Sequence, residues 1–135
     1  GGVSSELTDQ IADFGESIGI AFQLSDDLLD IESEVSGKTP GTDLREGIRT
    51  LPVLFALADT TLPARLRELL SRPLPNDAEH AEALAALRVH PAMDQARDVL
   101  EQWADRARDR LIALPDCDAK IALSSLVDSV AYRKV

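Results

Sequence analysis

Three aspartates, Asp26, Asp27 and Asp30, crowd a short segment whose apolar residues recur at helical spacing. At about 100° per residue they share about one third of the helix surface with Gly19 and Gln23, opposite an apolar stripe. Asp26 and Asp30 form an i,i+4 pair of like charges, which destabilises a helix by a few tenths of a kcal/mol. A cation would remove this repulsion. Mg²⁺ suits the arrangement because it binds through one or two carboxylates and completes its shell with water and phosphate oxygens.

A lysine follows the aspartates within a glycine-rich stretch, where Lys38 stands between Gly37 and Gly41. Its ammonium group and the N–H groups of the turn would contribute positive charge for a phosphorylated ligand. The alternative interpretation is that the aspartates form the solvated face of an amphipathic helix and that Lys38 is a surface lysine. The spacing alone leaves both interpretations open.

Several blocks in a fixed order make the pattern more specific. The segments Gly19–Asp30, Gly37–Leu44 and Thr50–Pro52 resemble the second aspartate-rich region of the trans-polyprenyl diphosphate synthases, over roughly residues 15–58. The resemblance implies an all-helical fold in which two aspartate-rich motifs face each other across a cavity and bind Mg²⁺ with an allylic diphosphate. It also implies a prenyl transfer in which the diphosphate leaves and the double bond of isopentenyl diphosphate attacks the allylic cation.

Matching positions in the motif assign roles to individual residues. Asp26 would be a direct metal ligand, with Asp27 and Asp30 binding metal or its waters, and these three with Lys38 form the catalytic set. The expected substrate-binding residues are Lys38 at the allylic diphosphate, Asp43 at the metal's water shell, Phe22 and Gln23 on the isopentenyl side, and Arg49.

Two features depart from the family pattern. Many relatives carry a second lysine where this chain has Ile48, and the neighbouring Arg49 is expected to contact phosphate instead. The chain has 135 residues, whereas the family is about twice as long, and no other DDxxD motif occurs in it. We therefore expect residues 1–135 to be the C-terminal helical part of a synthase, without the half that carries the first aspartate-rich motif and so with half a metal site.

The composition of the chain argues against some classes of binding partner and location. The formal net charge of −10 argues against nucleic acid and anionic membranes, both of which need a basic surface. A single cysteine, Cys117, excludes an internal disulfide and is typical of a reducing compartment, so a cytoplasmic location is expected. No apolar run approaches the length of a membrane span. A homodimer is expected for the full-length enzyme.

Helical periodicity without strand signals predicts an α-helical bundle, the C-terminal half of an isoprenoid-synthase-type fold. Its first helix should bury the stripe that contains Phe14 and Phe22, and the long segment from Glu34 to Arg49 should be a loop. His80 and His90 have no partner at metal-ligand spacing, so neither is predicted to bind metal. The expected helices are approximately 5–32, 51–58, 64–70, 77–89, 91–114 and 118–133.

Two further functions stay open. The chain could be a non-catalytic helical interaction module or partner subunit that retains the motif, and an upstream aspartate-rich motif in the natural protein would argue against this. A class I terpene cyclase would also use Mg²⁺ and a diphosphate, but such enzymes carry an Asn/Ser/Glu metal motif where this chain has Asp26–Asp30 and Gly37-Lys38.

Overall fold

The computed structural model describes residues 2–33 and 40–132, with side chains from residue 5 onward. Within these ranges the protein is all-α and has no strand, which confirms the predicted fold class. No helix in the described part of the chain is long and apolar enough to cross a membrane. The helices are α1 (Gly2–Glu32), α2 (Thr42–Glu46), α3 (Leu51–Ala58), α4 (Ala64–Leu70), α5 (Asp77–Arg88), α6 (Ala92–Ile112) and α7 (Asp118–Ala131).

The chain forms two compact units, each with its own core. Of the described residues, the first contains 2–25 and 98–132, and it is held by the contact of the first part of α1 with α6 and α7. The small residues Ala104 and Ala107 are fully buried on α6 and allow the helices to approach closely. The core residues of this unit are Phe14, Ala104, Ala107, Leu111, Val127 and Ala131, with Ile18, Leu114 and Leu123 packed against them.

The buried stripe of α1 differs from the predicted one. Phe14 is buried as expected, but Ile11 is 53% and Phe22 is 48% exposed. Ser25 of the expected stripe is buried, and so is Ser17, which lies outside that stripe and is small enough for close helix packing. The prediction that Phe22 belongs to the core was therefore wrong, and its aromatic ring lies at the surface of this chain.

The second unit, Asp26–Arg97, contains all three aspartates of the motif and the short helices α2 to α5. The turn of α1 that carries the aspartates is anchored here by Leu28 and Ile31, which are almost fully buried. Arg88 closes the C-terminal end of α1, because its guanidinium donates to the carbonyl oxygens of Ile31 at 2.7 Å and Ser33 at 3.1 Å. The acidic end of the helix is thus fixed at its last turn.

The segment from Glu34 to Arg49, expected to be a loop, contains the five-residue helix α2. Leu44 is its buried anchor, and left-handed glycines flank it at Gly41 and Gly47. A helix this short has little intrinsic stability, so its position depends on tertiary contacts. Those contacts lead directly to the aspartates.

Candidate metal and diphosphate site

The acidic face of α1 has a graded exposure. Asp26 is exposed, Asp27 is intermediate, and Asp30 is partly buried where α1 meets the turn before α2. Gln23 is exposed on the same helix. Asp26 and Asp30 therefore lie one turn apart on one side of α1, the first open to solvent and the second held by protein.

Asp30 is held by backbone N–H groups of the turn that leads into α2. Gly41 N–H donates to the Asp30 carbonyl oxygen at 2.7 Å, and Thr42 N–H donates to the carboxylate Oδ1 at 3.0 Å. The Asp43 N–H also donates to this carboxylate. The sequence led us to expect N–H groups of this turn to bind phosphate, whereas these three bind Asp30.

The second carboxylate oxygen of Asp30, Oδ2, differs from Oδ1 in its hydrogen bonding. Oδ2 is buried, and among the described residues it has no hydrogen-bond partner. A buried carboxylate oxygen without a partner is costly, and cation coordination is one way to remove that cost. One oxygen is thus held by the backbone, while the other is buried without a described hydrogen-bond partner.

Burial is the main reason that the pKa of Asp30 is raised above its ordinary value. Repulsion from Asp43 adds to this rise, the N–H groups of Thr42 and Asp43 oppose it, and repulsion from Asp27 contributes less. The net direction means that the folded chain disfavours the negative charge on Asp30. A metal ion beside the carboxylate would reverse this preference.

The turn before α2 depends on Gly41 and on a histidine from α5. Gly41 has φ 71°, a left-handed conformation that favours glycine. The ring of His80 is buried against it, with Nε2 2.8 Å from the Gly41 carbonyl oxygen. On the other side of the ring, Nδ1 lies 3.2 Å from a guanidinium nitrogen of Arg45.

The two partners of His80 assign its ring tautomer. The Gly41 carbonyl can only accept, so Nε2 carries the proton, and the Arg45 guanidinium can only donate, so Nδ1 accepts. Arg45 is held in turn by Asp77 at 2.9 Å and by the carbonyl oxygens of Leu74 and Pro75. Sequence reasoning gave His80 no role, since nothing in its local spacing relates it to a turn 39 residues away.

Replacing Gly41 with alanine is expected to lower the free energy of unfolding by about 1–3 kcal/mol. The positive φ is unfavourable for alanine, and a Cβ would lie 2.7 Å from His80 Nε2 and 3.1 Å from a methyl carbon of Leu84. Denaturant unfolding measures the change. Gly15→Ala is the matched control, because Gly15 is in the interior of α1 with no described atom within 4 Å of the added Cβ. It should instead raise stability by about 1 kcal/mol, and equal losses in both variants would contradict this account.

The remaining predicted site residues are distributed as follows. Asp43 is partly buried in α2, and its carbonyl oxygen accepts the N–H of Ile48 at 2.9 Å. Arg49 is exposed in the segment between α2 and α3. Lys38, to which we assigned the allylic diphosphate, lies outside the described residues. Among the described residues, no group of three or more His, Cys, Asp or Glu side chains is arranged to hold a metal ion.

The chain is similar in sequence and in fold to known proteins. Residues 1–87 match the polyprenyl synthetase family model. A nonaprenyl diphosphate synthase of Mycobacterium tuberculosis is 47% identical over 135 residues, a match covering 98% of this chain and 40% of that protein. The chain thus spans about two fifths of that relative's length.

Two solved structures were determined with calcium and isoprenyl diphosphate. One is a geranylgeranyl pyrophosphate synthase from Corynebacterium glutamicum, 39% identical with a TM-score of 0.81, where the match covers 91% of this chain and 39% of that one. The other is a polyprenyl synthase from Caulobacter crescentus, 34% identical with a TM-score of 0.81, covering 94% and 40%. The match over most of its length, in sequence and in fold, establishes that this chain belongs to the polyprenyl synthetase family.

Proposed function

We propose that this chain supplies one wall of a Mg²⁺-dependent prenyltransferase, which condenses isopentenyl diphosphate with an allylic diphosphate. The observation that carries the proposal is the Asp30 carboxylate, which has one oxygen held by the backbone and one buried without a described partner. Its pKa is raised, first by burial and then by repulsion from Asp43, so a cation beside it would be favourable. The family, and the calcium and isoprenyl diphosphate in two related synthases, support the choice of ligand.

The donor set fits Mg²⁺. The ion needs only one or two carboxylates when phosphate oxygens and water complete its shell, so the lack of a larger acidic cluster among the described residues is no obstacle. Asp26 and Asp30, one turn apart on α1, would hold it, with Asp27 beside them. When bound, it would neutralise the diphosphate and favour its departure from the allylic carbon.

The residues of this chain would bind and orient the reactants. Asp30 would be kept in place by the turn before α2, while Asp43 would order water near the ion. Lys38 and Arg49 would contact phosphate, and Phe22 and Gln23 would line the isopentenyl side. No nucleophilic side chain is needed, because the reaction depends on stabilising a departing anion with preplaced positive charge. A homodimer and a cytoplasmic location remain predictions for the natural protein.

Calorimetry tests the proposal with inorganic pyrophosphate as the probe. We expect weak binding in the presence of Mg²⁺, with a Kd of about 1 mM for a site with one acidic wall, and no binding in EDTA. Asp26→Ala should abolish the Mg²⁺-dependent heat. The same heat in Mg²⁺ and in EDTA, or an unchanged heat in the variant, would favour a non-catalytic interaction module.

A further inference from the structure

We propose that His80 is a positioning residue that helps to set the orientation of the Asp30 carboxylate through the Gly41–Thr42 peptide group. The effect on metal binding rests on the proposed function, whereas the contacts of His80 are independent of it. His80 is only 6% exposed, and its two ring nitrogens have two different partners, the Gly41 carbonyl oxygen and Arg45.

The link to Asp30 is the peptide between Gly41 and Thr42. A trans peptide is planar, and its C=O and N–H point in opposite directions. His80 Nε2–H binds the carbonyl end of this group at 2.8 Å, and its N–H end donates to Asp30 Oδ1 at 3.0 Å. Rotation of the peptide away from His80 would therefore also remove the donor from Asp30. Hydrogen bonds in series also polarise one another, so the first strengthens the second.

Two further contacts keep the peptide from rotating. The Gly41 carbonyl also accepts the N–H of Arg45 at 2.9 Å, and the Gly41 N–H is bound to the Asp30 backbone at 2.7 Å. Arg45 connects α2 with the His80 ring on α5, because its backbone belongs to α2 and its guanidinium binds Nδ1 of His80. The ring thereby joins α5 to the α2 turn at the point where Asp30 is held.

The consequence for the site is selective use of the two carboxylate oxygens. Oδ1 accepts the Thr42 N–H, whereas the buried Oδ2 has no partner among the described residues and would be the oxygen that a cation binds. If the peptide were released, Oδ1 would lose the Thr42 N–H, and of the two backbone donors to the carboxylate only the Asp43 N–H would remain. Groups that orient a metal ligand typically contribute about 10-fold to 100-fold in metal affinity or activity.

Two amide substitutions separate the two hydrogen bonds of His80. In His80→Gln the side-chain amide reaches the position of Nε2 and can donate to Gly41, but nothing replaces Nδ1. In His80→Asn the shorter amide places an oxygen near the position of Nδ1, which can accept from Arg45, but the bond to Gly41 is lost. His90→Gln is the matched control, because His90 contacts Asp59 Oδ2 at 3.0 Å and the Ala92 N–H at 2.9 Å, not the α2 turn.

Two readouts are measured on the chain, well below the unfolding temperature of every variant. The first is hydrogen exchange of the Thr42 amide without metal, which we expect to be at least tenfold faster in His80→Asn and within threefold of the parent in His80→Gln and His90→Gln. The second is the affinity for pyrophosphate at fixed Mg²⁺, which should fall about tenfold in His80→Asn and stay within threefold in the other two.

The outcomes separate this inference from the proposed function. Unchanged Thr42 exchange in His80→Asn, or equal losses in the glutamine and asparagine variants, would overturn the positioning role. If the parent chain binds no pyrophosphate with Mg²⁺, the proposed function fails, and the exchange rates alone still decide whether His80 holds the Gly41–Thr42 peptide. A tenfold loss of affinity in His90→Gln would show a general effect of destabilisation and would also overturn the inference.

Discussion

Replacing Asp26 with alanine in the natural protein should lower the rate of prenyl transfer at saturating substrate by at least about 100-fold. The Asp26 carboxylate is exposed on the acidic face of α1, one turn before Asp30. We propose Asp26 as a direct metal ligand, and its loss would remove charge that the metal needs to stay beside the departing diphosphate. The folded structure should be unaffected, since an exposed side chain away from the core contributes little to stability.

The measurement is the consumption of isopentenyl diphosphate with a short allylic diphosphate, repeated over a range of Mg²⁺ concentrations. Glu16→Gln is the control, because it also removes one exposed negative charge from α1 but lies outside the motif. Activity in Asp26→Ala within threefold of that control would remove the basis for a metal site on this helix. Partial recovery at high Mg²⁺ would show that the variant has lost metal affinity.

Replacing Asp30 with asparagine should have opposite effects on stability and on binding. The raised pKa of Asp30, caused first by burial and then by Asp43, means that ionisation of this group opposes folding. The protonated Asp30 side chain contributes stability below the unfolded-state pKa, and this contribution is lost as pH rises through the folded-state pKa. In EDTA at neutral pH the variant should therefore be more stable than the parent, as is common where a functional site carries strain.

Binding should change in the other direction. We expect Mg²⁺ with pyrophosphate to raise the unfolding temperature of the parent and to leave that of Asp30→Asn unchanged, because ligand stabilisation requires affinity for the folded state. Asp9→Asn, an exposed change early in α1, should behave as the parent in both measurements. A variant that is less stable in EDTA, or that keeps the Mg²⁺-dependent shift, would contradict the assignment of Asp30.

Local sequence was sufficient for the longer helices, but it missed α2 and did not determine the faces that the helices bury. The starts and ends of α3, α4 and α5 follow proline and capping signals, such as Asn76, whose side chain accepts the Glu79 N–H. In α3, however, nearly every residue is apolar, and the buried ones are Pro52, Val53 and Ala56, whereas Leu54 is 47% exposed. A helix that is apolar on all sides has no hydrophobic periodicity that predicts a buried face. Its packing against neighbouring helices determines which residues are buried.

The sequence by itself determined the all-α class, the family and the acidic motif, because helical periodicity and an ordered set of short blocks are local properties. Only the tertiary structure decided how Asp30 is held. Gly41 binds Asp30 across 11 residues, and His80 binds Gly41 across 39 residues and Arg45 across 35. Their hydrogen bonds depend on where α5 packs against α2, and no spacing within one helix encodes that arrangement.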